Sequence, residues 1–306
     1  MKKLKEWPKT LLFLLLVFGI SYGLAGLFYI SGGEYGSTWG IVLASTYMFI
    51  PLISALVVEK GIHKQTVSSL FRMSFRINRW FFVAWLSMPI LSFLAMGSAL
   101  LVPGVTFDAE MSGMFERFSG MMSPDEIEKM RESIETLPMH PLWITLGQGL
   151  LAGITINAVA GFGEEVGWRA FLLNQFRPFS FLKASLLIGF IWGIWHAPLI
   201  LMGHNYPTHP EWGVLMMTLF CILLSPLFIY VSIKARSVIA AAIMHGSLNA
   251  TVGIAIMMLS GGNDLLVGLT GLAGFAAIAF LILLMLVYDR WFSQDKICSS
   301  RIGDHW

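Results

Sequence analysis

Residues 142–176 read LWITLGQGLLAGITINAVAGFGEEVGWRAFLLNQF. The stretch begins as an apolar run long enough to cross a membrane. It then sets two carboxylates side by side, Glu164 and Glu165, with Arg169 four residues on. No strand alternation runs through it, so it is expected to continue as a helix through GEEVGWRAFLLNQF. A helix needs roughly 20 apolar residues to cross about 30 Å of hydrocarbon.

The stretch is one of eight apolar segments, read at roughly 10–31, 39–58, 81–102, 142–163, 182–202, 213–231, 238–259 and 265–288. Of the 306 residues 56% are hydrophobic and 12% charged, and mean hydropathy is +0.73. A soluble domain carries about 25% charged residues. The reading is an all-α, polytopic membrane helical bundle of about eight transmembrane helices, with residues 1–306 as a single membrane domain. A barrel would show alternating segments of about 10 residues, and none is present. Cys221 and Cys298 offer neither a disulfide framework nor a CxxC metal pair. No nucleic-acid-binding motif appears, and topology accounts for the basic residues.

With the N-terminal MKKLKEWPK in the cytoplasm, 17 of the 20 Lys and Arg residues fall on the inner side; only Arg117, Lys129 and Arg131 fall outside. Short loops rich in Lys and Arg stay in the cytoplasm, so both termini are expected there. KKLK followed by LLFLLLVF resembles a signal peptide, but the apolar stretch is long and no clear A-x-A site follows, so an uncleaved first span is expected. The outer loop, 103–141, holds Ser123-Pro124-Asp125-Glu126, a helix start with Ser as N-cap, Pro at N1 and Glu at N3. Its six methionines, Met111 to Met139, are expected to pack as soft apolar groups. On the inner side, Phe71, Arg72, Phe75, Arg76 and Arg79 suggest an interfacial basic helix.

Ionisable groups inside spans are costly and face the bundle interior or a water-filled cavity. Glu165 and Arg169, four apart, share a helix face and can form a buried ion pair. Glu164, about 100° round the helix, points elsewhere and can act as general base or metal ligand; two interfacial glutamates would be the structural alternative. His196, in WGIWHAP, and His245 with Asn249, in HGSLN, could each serve only as interhelical hydrogen-bonding groups. Gly246 and Ser247 allow close helix approach. Together the groups fit a hydrolytic site: a carboxylate and an imidazole activate water, and a second imidazole and an amide hold an oxyanion. The set also resembles a His2Glu zinc site, so zinc and no cofactor both stay open. Depth is a tension. Glu164 comes near the inner end of the fourth segment, whereas His196 lies 13 residues past Lys183, roughly 20 Å along a helix.

Three motifs carry a resemblance to a family. Glu164-Glu165-Val166-Gly167-Trp168-Arg169 is similar to the EExxxR motif of the CAAX protease and bacteriocin-processing family, also called CPBP or Abi, which includes the type II CAAX prenyl endopeptidases. Trp192-Gly193-Ile194-Trp195-His196 matches its FxxxH with Trp in the Phe place, and His245-Gly246-Ser247-Leu248-Asn249 matches its HxxxN. The resemblance covers about 140–260, the expected catalytic core. It implies an eight-helix intramembrane peptidase, often called a metalloprotease, in the cell membrane with its site open toward the cytoplasmic side. Carried over, Glu164 and His196 activate water, His245 and Asn249 hold the oxyanion, and Glu165 and Arg169 brace the glutamate. Trp192 keeps an aromatic wall. Glu164, His196 and His245 would be the ligands if zinc is bound. The implied partner is a peptide or lipidated peptide among membrane lipids, with a CAAX-type prenylated one suggested by the family's name.

A non-catalytic scaffold or bacteriocin-immunity protein of the same family is the alternative. A transporter would more often show paired broken helices and an internal repeat, and none is found.

Overall fold

The structure, a computed structural model, describes residues 8–66, 73–74, 77–118 and 123–306. The chain is a polytopic helical bundle. Its long helices are α1 (Lys9–Ile30), α2 (Thr38–Leu56, running on as a π-helical turn to Ile62) and α3 (Arg79–Ala99). After the outer loop, with α4 (Ser112–Phe118) and α5 (Pro124–Glu135), come α6 (Pro141–Ile154) and α7 (Ile156–Glu165, extended by π-helical Val166–Leu172 to Gln175). Then follow α8 (Phe181–Trp195), α9 (Ala197–Leu201), α10 (Pro210–Ala235), α11 (Val238–Thr251), α12 (Ile254–Met257) and α13 (Leu272–Trp291).

Among the described residues six helices are long and apolar enough to cross a membrane, and α6 with α7 makes a seventh if that bent pair is one span. The chain is thus a multi-pass membrane protein. The fifth predicted span differs from expectation. α8 has only 15 residues, about 22 Å of helix, and it stops because Pro198 has no N–H to give the Ile194 carbonyl. The Tyr22 hydroxyl donates to that carbonyl instead at 2.7 Å, and the Tyr47 hydroxyl donates to the Trp195 carbonyl at 2.9 Å. The last span starts later than read, at Leu272, because Gly262 and Gly268 take positive φ and turn the chain before it.

Side-chain oxygens start several helices. Ser37 accepts from Gly40 N, Asn78 from Trp80 N, Ser180 from Lys183 N and Ser237 from Ile239 N, each satisfying an otherwise orphaned amide. The helix foreseen in the outer loop forms as α5, with Ser123 and Glu126 in a reciprocal capping box. Met111, Met114 and Met130 join a small apolar cluster with Phe115 and Leu142. The expected basic helix around Phe71 to Arg79 lies mostly outside the described residues.

The two ends of the bundle are tied separately. At one end β1 (Thr106–Phe107) pairs antiparallel with β2 (Leu259–Ser260), Arg117 donates to the Leu259 and Gly261 carbonyls, and Tyr206 donates to the Thr270 carbonyl. At the other end Lys9 pairs with Glu59 at 2.7 Å, Lys234 with Asp295 at 3.2 Å, and Ile302 N donates to the Phe179 carbonyl. Between them α7 is central, packed on α2 and α11, while α8 packs on α10 and α13 on α3. Exposed Leu27, Ile41, Phe82, Ile156 and Leu283 form the apolar outer surface that lipid would cover.

Candidate active site

Close helix approach builds the site. α7 and α11 meet at glycines: a Cβ on Gly161 would stand 3.0 Å from the His245 Cβ, and one on Gly246 would stand 2.5 Å from the Ala158 nitrogen. That contact brings the end of α7, with its two glutamates, against His245. The chain bends by 49° between α6 and α7. Glu164 and His196, read from the sequence as lying at different depths, line one cavity.

Glu164 is buried, 2% exposed. Its Oε2 accepts from the Trp192 indole N–H at 2.8 Å and more weakly from the Trp168 indole N–H at 3.4 Å. Its Oε1 lies 3.8 Å from His245 Nε2, beyond a direct hydrogen bond. Glu165, fully buried, accepts through Oε1 from Arg169 Nη1 at 3.0 Å and from His245 Nδ1 at 2.8 Å. The rest of the Arg169 guanidinium lies on the ring faces of Trp192 and Phe228, 4.3 and 4.7 Å from their centroids, a geometry that favours a cation. The Glu165–Arg169 pair is therefore present, and it also orients His245.

His196 sits at the break after α8. Its Nδ1 is 2.8 Å from the Trp192 carbonyl, which can only accept, so Nδ1 carries the proton and Nε2 is left for other work. Trp192 lies between the histidines, with ring centroids 5.9 Å from His196 and 5.7 Å from His245. Glu164, Trp192, His196, His245 and Asn249 all line one cavity of about 240 Å³. Its wall is mostly apolar, and the few polar groups converge at Glu164 and the two histidines, with room beside them for a water molecule.

Asn249 is exposed at the cavity edge, not enclosed with the others. Sequence reasoning missed three contributors. Tyr47 lines the cavity while holding the Trp195 carbonyl; Trp168 donates to Glu164; Tyr35 lines the cavity and meets His204 Nδ1 at 2.8 Å. Trp168 was legible, since it stands four residues after Glu164 on one helix. Tyr35 and His204 come from separate loops and left no local signal. The lining rises toward Tyr35, His204 and Thr270, in the loops at the end tied by β1 and β2.

As placed, the donors do not fit a closed zinc shell, whose nitrogen and oxygen ligands each lie about 2 Å from the metal. Among the described residues no three His, Cys, Asp or Glu side chains are grouped to hold a metal ion.

The comparisons with known proteins fall on the same region. Residues 146–251 match the family model described as Type II CAAX prenyl endopeptidase Rce1-like. The chain is also similar to CAAX prenyl protease 2 of Methanococcus maripaludis, 32% identical over 92 residues, which are 28% of this chain and 34% of that protein. The match thus spans about a third of the relative's length. The stretch that the family model matches, 146–251, includes all three motifs on α7, α8 and α11, and over that stretch the chain is similar to the type II CAAX prenyl endopeptidases.

Proposed function

We propose that the chain is an intramembrane endopeptidase that hydrolyses one amide bond of a membrane-associated peptide. The observation that carries this reading is that Glu164 on α7, His196 at the break after α8, and His245 on α11 line one cavity, with Asn249 at its edge. Water in the cavity gives a proton to Glu164 Oε1, with His196 Nε2 orienting it, and its oxygen bonds to the scissile carbonyl carbon. The resulting oxyanion accepts from His245 Nε2–H and the Asn249 amide. The C–N bond then breaks, and the proton held by Glu164 goes to the leaving amine. Arg169 pairs with Glu165, which limits the cost of burying the two of them.

The similar protein is named CAAX prenyl protease 2, and an apolar anchor would likewise hold a lipidated substrate peptide of this chain at the membrane. A scaffold or immunity protein without catalysis is the competing reading. Purified protein with a quenched lipidated peptide library separates them. Glu164→Ala and His196→Ala are expected to lower kcat/KM by about 10³-fold, within the general acid–base range, and Glu164→Gln keeps the shape for a fold control. Near wild-type cleavage by either alanine variant overturns the mechanism.

A further inference from the structure

The cavity is lined at its upper part by Tyr35, His204, Asn205 and Thr270, which lie in the connections α1–α2, α9–α10 and α12–α13. Those connections share one end of the bundle with the acidic outer loop. Tyr35 bonds His204, Tyr206 bonds Thr270, and β1 of the outer loop pairs with β2. Asn205 is exposed there, so the cavity reaches the surface at that end. The helix residues of the lining agree. Ala44 and Met48 on α2, and Met217 and Phe220 on α10, stand 6 to 10 residues from the helix starts at Thr38 and Pro210, about 9–15 Å deep from that end.

The opposite end is sealed. Beyond Glu164 the π-helical turn Val166–Leu172 is buried at every residue, with Arg169, Leu172, Phe228 and Ile229 each at 0% exposure. None of the described lining residues comes from the connections at that end. It is also the basic end, where the Lys/Arg bias of 17 in 20 assigns the cytoplasm.

We infer that the site is entered from the extracytoplasmic face, and that its substrate is a peptide segment presented on that face beside a membrane anchor. The second half rests on the peptidase reading; the first does not. A lipidated C-terminal tail in the cytosol would meet the sealed end.

The test uses the full chain in right-side-out and inside-out membrane vesicles, with Cys221→Ala and Cys298→Ser as background. The probe is the membrane-impermeant sulfonate reagent methanethiosulfonate ethylsulfonate, read by loss of later maleimide labelling. Ala44→Cys reports the cavity wall, Asn205→Cys its mouth, and Gln294→Cys the basic end. Ala44→Cys and Asn205→Cys are expected to react at least tenfold faster in right-side-out vesicles, and Gln294→Cys in inside-out ones. Reaction of Ala44→Cys from the Gln294→Cys side, or from neither side, overturns the access route. A quenched palmitoylated peptide is then added to each vesicle type containing the wild-type chain. Faster cleavage in right-side-out vesicles supports the substrate class, and faster cleavage in inside-out vesicles overturns it. Cleavage in neither, with Ala44→Cys labelled from outside, refutes the peptidase reading and leaves the access route standing.

Discussion

Glu164 presents two unlike oxygens. Oε2 is held by the Trp192 and Trp168 indoles, and Oε1 is left toward His245 and the cavity. The family motif has Phe where this chain has Trp192, so here the aromatic wall also sets the carboxylate's rotamer. A hydrogen bond to a charged acceptor contributes about 1.5–3 kcal/mol, which corresponds to about a 10- to 100-fold change in rate. Trp192→Phe is therefore expected to lower kcat by about that factor with KM nearly unchanged, because the substrate does not need the indole N–H. Steady-state kinetics on a single peptide read the split. An equal rise in KM would instead make Trp192 a substrate contact.

At the scale of elements, the α7–α11 contact and the latch between the outer connections make separate predictions. Gly246→Ala sets a Cβ against backbone atoms of Gly153 and Ala158 that cannot turn aside. Overpacking of this kind costs about 1–3 kcal/mol. The variant is expected to melt several degrees lower in detergent and to lose activity, since α11 also carries His245. The latch is Asp264, which accepts from Thr208 N at 2.9 Å and pairs with His209 at 2.5 Å. Burial works against its ionised form, but hydrogen bonds from Thr208 and His209 prevail and hold the carboxylate below its ordinary value of 3.8. The folded value is the lower one, so the stabilisation is complete above pH 3.8 and is lost as pH falls through the folded value. Asp264→Asn should thus melt about 2 °C below wild type at neutral pH, with the gap constant down to about pH 4 and closing below it. A gap that stays open well below pH 3 would show that the carboxylate's charge does not hold the latch.

For the whole molecule, the charge arrangement and the cavity decide what the proposed cleavage needs. Two carboxylates, an arginine and two imidazoles are gathered without a three-ligand metal set among the described residues. Cleavage by the purified chain is accordingly expected to persist in chelator, with metal content far below one ion per chain by elemental analysis. One zinc per chain, with activity lost on chelation and restored by zinc, would make Glu164, His196 and His245 ligands and revise the geometry around His245.

Apolar runs, the Lys/Arg bias and three short motifs determined, from sequence alone, a polytopic helical bundle and the residues that meet at its centre. These signals are local: span length follows from hydrocarbon thickness, and Glu165 and Arg169 meet because residues four apart share a helix face. The capping box at Ser123 was legible for the same reason. Tertiary structure decided the rest. That α8 is cut short at His196 depends on hydroxyls from Tyr22 and Tyr47, on helices far away in the chain. That Glu165 orients His245, and Trp192 holds Glu164, depends on packing between helices. The face to which the cavity rises depends on three loops meeting at one end. Contacts between residues far apart in sequence leave no periodicity to read, because they exist only once the helices have packed.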